Sequence, residues 1–463
     1  MNATLTDAWL TFKYLLDARA ATRGGAGAIA ARQRRRLQEL IAHARAHSPY
    51  FAEAYRHLPD GVSDLTALPV TTKRALMARF DDWSTDRAVT WRAVSEFIED
   101  PANIGADFLG RYAVWTTSGT TGEPAVLVHD RRSLAVTIGV GAVRVLPDRQ
   151  TLWKLMRRGT RTAGVYVTGG HFLACSMTTR RLRERPWTRR SLRVVSALDP
   201  LDRIVAQLDA FRPTILGGYP SVLKQLAGEQ SAGRLHLDPV LVTAGGEALS
   251  DEARAFISEA FGAPVTSPYA CSEAGMIAAE CAERWQHVNA DWIVLEPVGA
   301  DHRPTPPGEQ SHSTLLTYLG NRLQPILRYE LGDRVIERPD PCPCGNPAPA
   351  FRVEGRTNDV LRFRAVDGSV REVLPLAIGS CFDEARVGRF QLVQTAPEAL
   401  SVRLEPQAGP EAWAEASRGL RAFLDGQGLA NVEVLRAAEP PTAERSSGKF
   451  RQIFALPGAS WRA

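Results

Sequence analysis

The feature of this sequence that restricts its fold most is a regular alternation of strand and helix patterns between residues 191 and 266. Short β-prone runs begin at Ser191, Thr214, Pro239 and Pro264, and helical patterns lie between them. Alternation at this spacing predicts a parallel sheet with helices on both faces. Ligands of such sheets gather where the strands end at their carboxyl termini. The loops predicted at that edge are residues 217–219, 244–247 and 269–273.

A second constraint is the hydroxyl-rich segment Thr116–Pro124, which joins two β-prone runs at residues 108–115 and 125–128. Glycine lets the backbone approach an anion closely, and the hydroxyls add further donors, so the segment suits the phosphates of a nucleotide. It is not a Walker loop, because no Gly-Lys-Ser/Thr follows at the required spacing. The alternative is an ordinary surface hairpin loop. The predicted phosphate-binding residues are Thr117, Ser118, Gly119, Thr120, Thr121 and Gly122.

Length and charge exclude several classes of protein. A chain of 463 residues is too long for one ordinary core, so a large domain and a smaller one are expected. The net charge of +5 is mild, and the arginine clusters are interpreted as solvated surface, so no nucleic acid is predicted as a partner. The sequence contains no run of about 20 apolar residues, so no membrane span is predicted. With no secretory signal pattern and no disulfide framework, we expect a cytoplasmic protein.

The remaining patterns divide the chain into helical and strand-rich regions. Residues 1–60 carry helical patterns, and residues 130–145 predict a helix rich in small side chains. Residues 151–173 alternate basic and apolar types and are weakly strand-like. Short strands and turns are predicted over residues 291–364, and a smaller α/β unit over residues 390–435.

Five short motifs occur in one order along most of the chain. They are the Thr116–Pro124 loop, Tyr269–Glu273, Tyr329–Asp333, Gly355–Asp359 and Ser447–Lys449. With them the chain resembles the adenylate-forming superfamily of acyl-CoA ligases, adenylation domains and luciferases, and its first hundred residues resemble the phenylacetate–CoA ligase branch. The resemblance implies an α/β fold with parallel βα sheets in a large N-terminal domain, residues 1–357. It also implies a small, mobile C-terminal α+β domain, residues 358–463.

The resemblance implies a role in nucleotide binding for most of these motifs. The loop would hold the β- and γ-phosphates of ATP. Glu273, beside Ser272, would ligate Mg²⁺, since a hard cation prefers a carboxylate. Asp333 would accept both ribose hydroxyls, and Arg356 would reach the ribose or a phosphate. The residues beside the adenine ring would be Gly245, Gly246, Glu247 and Tyr269, with Tyr269 stacking on it.

Catalysis is assigned to Lys449, Glu273 and Arg356 by the same resemblance. Lys449 would bridge the substrate carboxylate and the α-phosphate, where a cation stabilises the charge that develops in the transition state. Asn358 would be the hinge about which the small domain turns. Apart from the family pattern, Lys449 would be a lysine in a solvated tail and Glu273 a turn cap. The chain departs from the pattern at Ala125, where lysine is usual, and at Ala270 and Cys271.

The cysteines and one histidine suggest a metal site. Cys281, His287, Cys342 and Cys344 supply three thiols and one imidazole, a workable tetrahedral set for structural zinc. The phenylacetate–CoA ligase branch often shows the same order, a Cys followed by a His and, later in the chain, a Cys-x-Cys-Gly. Such a site would join the Asp291–Arg338 strands to the main sheet without taking part in chemistry. The alternative is a set of reduced, inert thiols, as we expect for Cys175, Cys271 and Cys381.

The predicted function is therefore ATP-dependent adenylation of a carboxylic acid, followed by transfer of the acyl group to coenzyme A. Small residues along the predicted pocket, Gly139, Gly141, Ala142, Gly217 and Gly218 among them, favour a broad, flat aryl or aryl-alkyl acid. One alternative is transfer to an amine or another small nucleophile. A minor alternative is a non-catalytic protein that binds a nucleotide or zinc. The N-terminal helices could form the face of a homodimer.

Overall fold

The computed structural model describes residues 3–62, 64–117, 125–146, 148–356, 361–373, 378, 382, 387, 389–405, 408–442 and 451–455. Its N-terminal part is helical, as predicted. The helices are α1 (Ala3–Arg23), α2 (Gly25–His47), α3 (Pro49–Ala54), α4 (Lys73–Ala78), α5 (Phe80–Trp83) and α6 (Trp91–Glu99). In α2, Leu37, Leu40, Ile41 and Ala44 form the buried stripe of an amphipathic helix. Among the helices in the described part of the chain, none is long and apolar enough to cross a bilayer.

The hydroxyl-rich segment lies between two paired strands, β1 (Ala113–Thr116) and β2 (Val126–His129), which form an antiparallel hairpin. Helix α7 (Arg131–Arg144) follows at once. The Asp130 side chain caps it by accepting the backbone N–H of Ser133 at 2.7 Å. The helix predicted for residues 130–145 is confirmed.

The weakly strand-like prediction for residues 151–173 is partly wrong. Helix α8 (Arg149–Arg158) fills its first part, and β3 (Thr162–Tyr166) follows. Asp148 caps α8 by accepting the N–H of Thr151, and Gly159 ends the helix with a φ of 81°. A helix capped at both ends can form here although basic residues interrupt its apolar stripe.

The parallel sheet predicted from the βα alternation is present. Its strands stand in the order β4-β3-β5-β6-β7, all parallel. The elements are α9 (Leu173–Glu184), β4 (Leu192–Ser196), α10 (Leu201–Phe211), β5 (Ile215–Gly218), α11 (Pro220–Ser231), β6 (Leu241–Ala244), α12 (Asp251–Phe261) and β7 (Val265–Thr266). One face buries an aliphatic core against α10, α11 and α12. Val165, Leu216 and Val242 are fully buried in that core.

The next part of the chain forms two antiparallel sheets. A five-stranded sheet has the order β14-β15-β10-β9-β8, and a three-stranded sheet has the order β11-β12-β13. The strands are β8 (Tyr269–Cys271), β9 (Gly275–Glu280), β10 (Gln286–Val288), β11 (Ile293–Val298), β12 (Ser313–Tyr318), β13 (Ile326–Glu330), β14 (Asp333–Glu337) and β15 (Ala350–Arg356). Short strands were predicted over residues 291–364, and β11–β15 confirm that prediction. The loop predicted at residues 269–273 instead begins with strand β8.

A C-terminal α+β domain has a core of its own. It contains β16 (Leu361–Arg364), β17 (Val370–Val373), β18 (Phe390–Ala396), β19 (Ala399–Leu404), α13 (Pro410–Gly426), β20 (Glu433–Arg436) and β21 (Ile453–Phe454). Four of its strands form a mixed sheet in the order β20-β19-β18-β21. The strands and the helix predicted for residues 390–435 are therefore confirmed. The domain boundary at residues 357 and 358 stays a prediction.

A buried ionic cluster joins the N-terminal helices to the centre of the large domain. Asp291 has no exposed side-chain surface, and Arg144, the last residue of α7, donates to its Oδ1 at 2.7 Å. Arg36 of α2 donates to the Asp291 carbonyl at 2.7 Å and lies 3.5 Å over the Trp292 ring. The cluster fixes α2 and α7 to the segment that leads into β11.

The crossing of α1 and α7 yields a prediction about stability. A Cβ built on Gly139 would lie 2.8 Å from the carbonyl oxygen of Thr11, whereas a Cβ on Gly141 meets no atom within 4 Å. Gly139→Ala should therefore lower the free energy of unfolding by about 1–3 kcal/mol, because backbone of another helix must move. Gly141→Ala, in the same helix, should raise it by about 0.5–1 kcal/mol. Urea titrations of the two variants check this, and equal effects would contradict the close crossing.

Candidate active site

Glu273 lies in the turn between β8 and β9, two strands of the five-stranded antiparallel sheet. Its side chain is 8% exposed, and its Oε1 accepts the hydroxyl hydrogen of Tyr329 at 3.1 Å. Tyr329 belongs to β13, in a different sheet. Two predicted motifs are thus joined by one hydrogen bond, and the carboxylate is held in a fixed position inside the protein.

Asp333 is the first residue of β14 and is 7% exposed. Its Oδ2 accepts the hydroxyl hydrogen of Tyr269 at 2.5 Å, and its carbonyl accepts that of Thr314 at 2.7 Å. In the β14–β15 ladder Arg356 stands directly opposite Asp333. The fold therefore brings together Tyr269, Asp333 and the backbone of Arg356, which the sequence places far apart. The side chain of Arg356 lies outside what the structure describes.

The predicted adenine loop is attached to its neighbour in the parallel sheet. Gly245 donates its N–H to the carbonyl of Gly218 at 3.1 Å. The Oε2 of Glu247 accepts the N–H of Ser221 at 3.0 Å, in the first turn of α11. A carboxylate at this position satisfies a free helical N–H and interacts favourably with the helix dipole. Glu247 thus has a structural contact, and its predicted contact with adenine stays a prediction.

The base of the hydroxyl-rich loop is a hydrogen-bonded pair. Thr117 donates its N–H to the Ala125 carbonyl at 2.9 Å, and Thr117 Oγ1 accepts the Ala125 N–H at 2.8 Å. Ala125 is buried directly before β2, at the position where the predicted motif usually carries a lysine. The other predicted members of the loop, Ser118, Gly119, Thr120, Thr121 and Gly122, lie outside the described residues, as do Asn358 and Lys449.

His129 is a site residue that the sequence did not reveal. It ends β2, and its Nε2 donates to the carbonyl of Ser272 at 3.1 Å, one residue before Glu273. Its ring packs on Trp115 with 3.8 Å between centroids, and its Nδ1 lies 3.3 Å from Ser133 Oγ. Burial lowers the pKa of His129 to about 3, so the imidazole is neutral near pH 7. His129 therefore acts as a positioning residue that holds the Ser272–Glu273 turn against the β1–β2 hairpin.

The predicted zinc ligands converge. The ligand atoms of Cys281, His287, Cys342 and Cys344 all lie within 4.8 Å of one another. The Sγ atoms of Cys281 and Cys342 are 3.9 Å apart, and Cys344 Sγ is 3.2 Å from His287 Nε2. The Nδ1 of His287 donates to the carbonyl of Ala348 at 2.9 Å, which leaves Nε2 with a lone pair towards the thiols. Three sulfurs and one imidazole nitrogen are a donor set that fits zinc.

The predicted position of this cluster in the fold is wrong. We expected it to join the Asp291–Arg338 strands to the main sheet. Instead it ties the β14–β15 turn to the β9–β10 hairpin, and all four of those strands belong to one antiparallel sheet. Strands β11–β13 form a separate sheet. Cys175 and Cys271 are free thiols, as predicted, and Cys381 lies outside the described residues.

The fold and the site can now be compared with known proteins. The family described as AMP-binding enzyme matches residues 33–299, more than half of the chain. The chain belongs to this family. This AMP-binding enzyme is thus an adenylate-forming ligase, as the order of its motifs implied.

Individual relatives agree with this fold. A 2-hydroxyisobutyryl-CoA ligase in the postadenylation state, in complex with 2-HIB-AMP, is 20% identical, with a TM-score of 0.66 over 94% of this chain and 90% of that chain. An anthranilate CoA ligase in complex with anthranoyl-AMP is 15% identical, with a TM-score of 0.51 over 73% of this chain and 65% of that chain. At these identities the likeness is one of fold alone.

One curated relative is similar over a shorter stretch. Protein CapK of Staphylococcus aureus is 27% identical over 169 residues, which is 35% of this chain and 35% of that protein. The match therefore spans about a third of the length of that relative. It adds no substrate or partner to what the family membership shows.

The buried His129 makes the stability of the AMP-binding enzyme depend on pH. Its folded-state pKa of about 3 lies below the ordinary value near 6.5, so the unfolded chain takes up a proton that the folded chain does not. Stability from the neutral ring is fully present above about pH 6.5 and is lost as the pH falls towards 3. The slope in that window should be about 1.4 kcal/mol per pH unit steeper in the wild type than in His129→Phe, which keeps a ring over Trp115.

Urea titrations between pH 6 and pH 4 measure the difference. His57→Phe is the control, because it removes an exposed histidine and leaves the buried His129 in place. Parallel curves for the wild type and His129→Phe would mean that His129 is not held neutral in the folded protein.

Proposed function

We propose that this adenylate-forming enzyme activates a carboxylic acid with ATP and then transfers the acyl group to coenzyme A. The observation that carries the proposal is the pair of buried carboxylates, Glu273 and Asp333, each held by a tyrosine hydroxyl from a strand distant in the sheet order or in another sheet. A carboxylate oxygen of the acid attacks the α-phosphorus, and the bond to the leaving pyrophosphate breaks. The thiol sulfur of coenzyme A then attacks the carbonyl of the acyl-adenylate, losing its proton, and AMP leaves.

Each carboxylate has one task in this scheme. Asp333 would accept the ribose hydroxyls of ATP, as the family motif implies, and the Tyr269 hydroxyl holds its carboxylate in place. Glu273 would hold Mg²⁺, and the bound ion would offset the negative charge of the phosphates. Tyr329 fixes the direction of the Glu273 carboxylate. The carboxylate therefore needs little reorientation when the nucleotide and its metal ion bind. Lys449 would supply the positive charge between acid and α-phosphate.

The finer assignment follows the phenylacetate–CoA ligase branch. Its support is the order of the motifs together with the convergent Cys281, His287, Cys342 and Cys344 set. On that basis the acid is aryl or aryl-alkyl and the acceptor is coenzyme A. The departures at Ala125, Ala270, Cys271 and Asn358 keep an amine acceptor as the second candidate. A non-catalytic nucleotide- or zinc-binding protein is the third.

We also propose a structural zinc ion in the cysteine–histidine cluster. All four ligands of the cluster are protein side chains, a closed arrangement typical of structural sites. Zinc there would keep the β14–β15 turn on the β9–β10 hairpin and so hold Asp333 and Arg356 in register.

Two further expectations stay proposals. A homodimer is favoured by exposed apolar side chains on α1, where Trp9, Phe12 and Leu16 follow one another at helical spacing. A cytoplasmic location would supply ATP and coenzyme A.

The main prediction concerns pyrophosphate release from Mg·ATP in the presence of aryl and alkyl acids. The wild type should release pyrophosphate with at least one acid, and Lys449→Ala and Glu273→Gln should slow that release by about 100-fold or more, because each removes a group that acts on charge in the transition state. Glu283→Gln is the matched control, since Glu283 is an exposed carboxylate ten positions further along. Its rate should equal that of the wild type.

The acceptor is decided in the same assay. Consumption of coenzyme A with acyl thioester formation supports the ligase, whereas turnover only with amines supports the amide-forming alternative. ATP binding without pyrophosphate release from any acid would favour the non-catalytic alternative.

The zinc proposal predicts that the purified wild type contains about one zinc ion per chain and that the Cys342→Ser variant contains none. Loss of the ion should lower the unfolding temperature, because a structural metal contributes its binding free energy to folding. Atomic emission spectroscopy of the purified protein gives its zinc content. After zinc is exchanged for cobalt, the absorption of tetrahedral cobalt–thiolate sites checks the ligands. Cys175→Ala, which changes a thiol outside the cluster, should retain the metal. A wild type that takes up no zinc on reconstitution would overturn the proposal.

A further inference from the structure

Helix α1 carries apolar side chains on two opposite sides. The inner side packs on the large domain, where Ala18 has no exposed surface and the Tyr14 ring stands edge-on to the Trp292 ring, with 5.2 Å between centroids. The outer side carries three large apolar side chains that are between 47% and 58% exposed, namely Trp9, Phe12 and Leu16. Their spacing of three and four residues places them on one face of the helix. A helix that only closed a core would carry polar residues on that face.

The charges of α1 are divided between the same two sides. From Asp7 to Arg23, the fully exposed charged side chains are all cations, namely Lys13, Arg19 and Arg23. The Nζ atom of Lys13 lies 5.4 Å from the centre of the Trp9 ring. The two carboxylates of the helix are half-buried and paired: Asp17 lies 3.0 Å from Arg32. Asp7 lies 3.9 Å from Arg131 of α7. The outer face therefore combines apolar side chains with uncompensated positive charge.

This charge decides between the two occupants that could cover the outer face. A homodimer with twofold symmetry would place the same face of both copies together. The three cations of one copy would then approach the same three cations of the other, and the face has no carboxylate to compensate them. An anionic lipid surface supplies negative charge to the cations and an apolar layer to the aromatic rings. Tryptophan, phenylalanine and leucine beside lysine and arginine are typical of helices that lie in a membrane interface.

We propose that the outer face of α1 binds the surface of a membrane that contains anionic phospholipids. The helix lies in the plane of the interface, with Trp9, Phe12 and Leu16 below the headgroups and the cations at the lipid phosphates. Such binding needs no membrane-spanning helix, and the described helices include none. The helix is also formed before it binds, because its inner side is already packed on α7 at Gly139. Lipid binding therefore does not have to order this segment.

The test is flotation of the purified full-length chain with lipid vesicles. One set of vesicles contains phosphatidylcholine alone, and the other contains phosphatidylcholine and phosphatidylglycerol in equal parts. The wild type should float with the anionic vesicles about tenfold or more better than with the neutral ones, because the cations add to the apolar contact only where the surface is negative. High salt should weaken the binding to the anionic vesicles, since it screens the surface potential.

Two variants separate the apolar contribution from the charged one. Phe12→Ser should lower the vesicle partition coefficient about tenfold or more, because it removes a large apolar side chain from the interface. Arg19→Gln should lower it about fivefold on the anionic vesicles only. The matched controls are Phe256→Ser in α12 and Arg92→Gln in α6, which change the same residue types at other exposed helical positions. Both controls should bind as the wild type does. All four side chains are exposed, so urea titrations should give the wild-type midpoint.

Three results would overturn the proposal. The first is a wild type that does not float with the anionic vesicles, and the second is equal binding of the wild type, Phe12→Ser and Arg19→Gln. The third comes from sedimentation velocity without lipid: a wild-type dimer that becomes a monomer in Phe12→Ser would assign the face to a second copy of the chain. None of these measurements depends on turnover, so they decide the membrane contact whatever acid and acceptor the enzyme uses.

Discussion

The arrangement of the site depends on one buried charge, the carboxylate of Asp291. A carboxylate with no exposed surface is tolerated only when cations and donors surround it, and removing one partner of such a pair costs several kcal/mol. Here Arg144, the last residue of α7, donates a hydrogen bond to the carboxylate. Arg36 of α2 donates one to the backbone carbonyl of the same residue. The opposite end of α7 is capped by Asp130, directly after His129. Helix α7 is therefore fixed at both ends, and the residues between them keep a constant distance from Glu273.

Most of the fold could be predicted because its signals are local. The βα alternation over residues 191–266 predicts four of the five parallel strands and the helices between them, since period and turn residues act within a few positions. Helix α8 was missed, although Leu152, Leu155 and Met156 have helical spacing, because arginines and a lysine alternate with them. The cap at Asp148 and the end at Gly159 were the signals that could have revealed it. The order of strands β8–β15 needs contacts between distant segments, which the sequence does not show.

The candidate site was predictable to the extent that each residue belongs to a motif. Glu273, Asp333 and Tyr269 were identified by type and order, and the fold brings Tyr269 to Asp333 and Tyr329 to Glu273. The cysteine–histidine set converges as its donor types indicated, although in a different part of the sheet system. His129 carries no such signature. Its role exists only because the β1–β2 hairpin packs against the Ser272 carbonyl, a tertiary contact between residues 143 positions apart.

Helix α7 shows how a buried charge pair can position a candidate catalytic residue from a distance. Its first turns adjoin His129 and the Ser272–Glu273 turn, where adenylation chemistry would take place. Its last residue, Arg144, donates to the fully buried carboxylate of Asp291. Because loss of either partner would leave an uncompensated buried charge, this contact holds the helix in place. The position of the Glu273 turn therefore depends on a contact at the opposite end of α7, which no motif of the sequence marks.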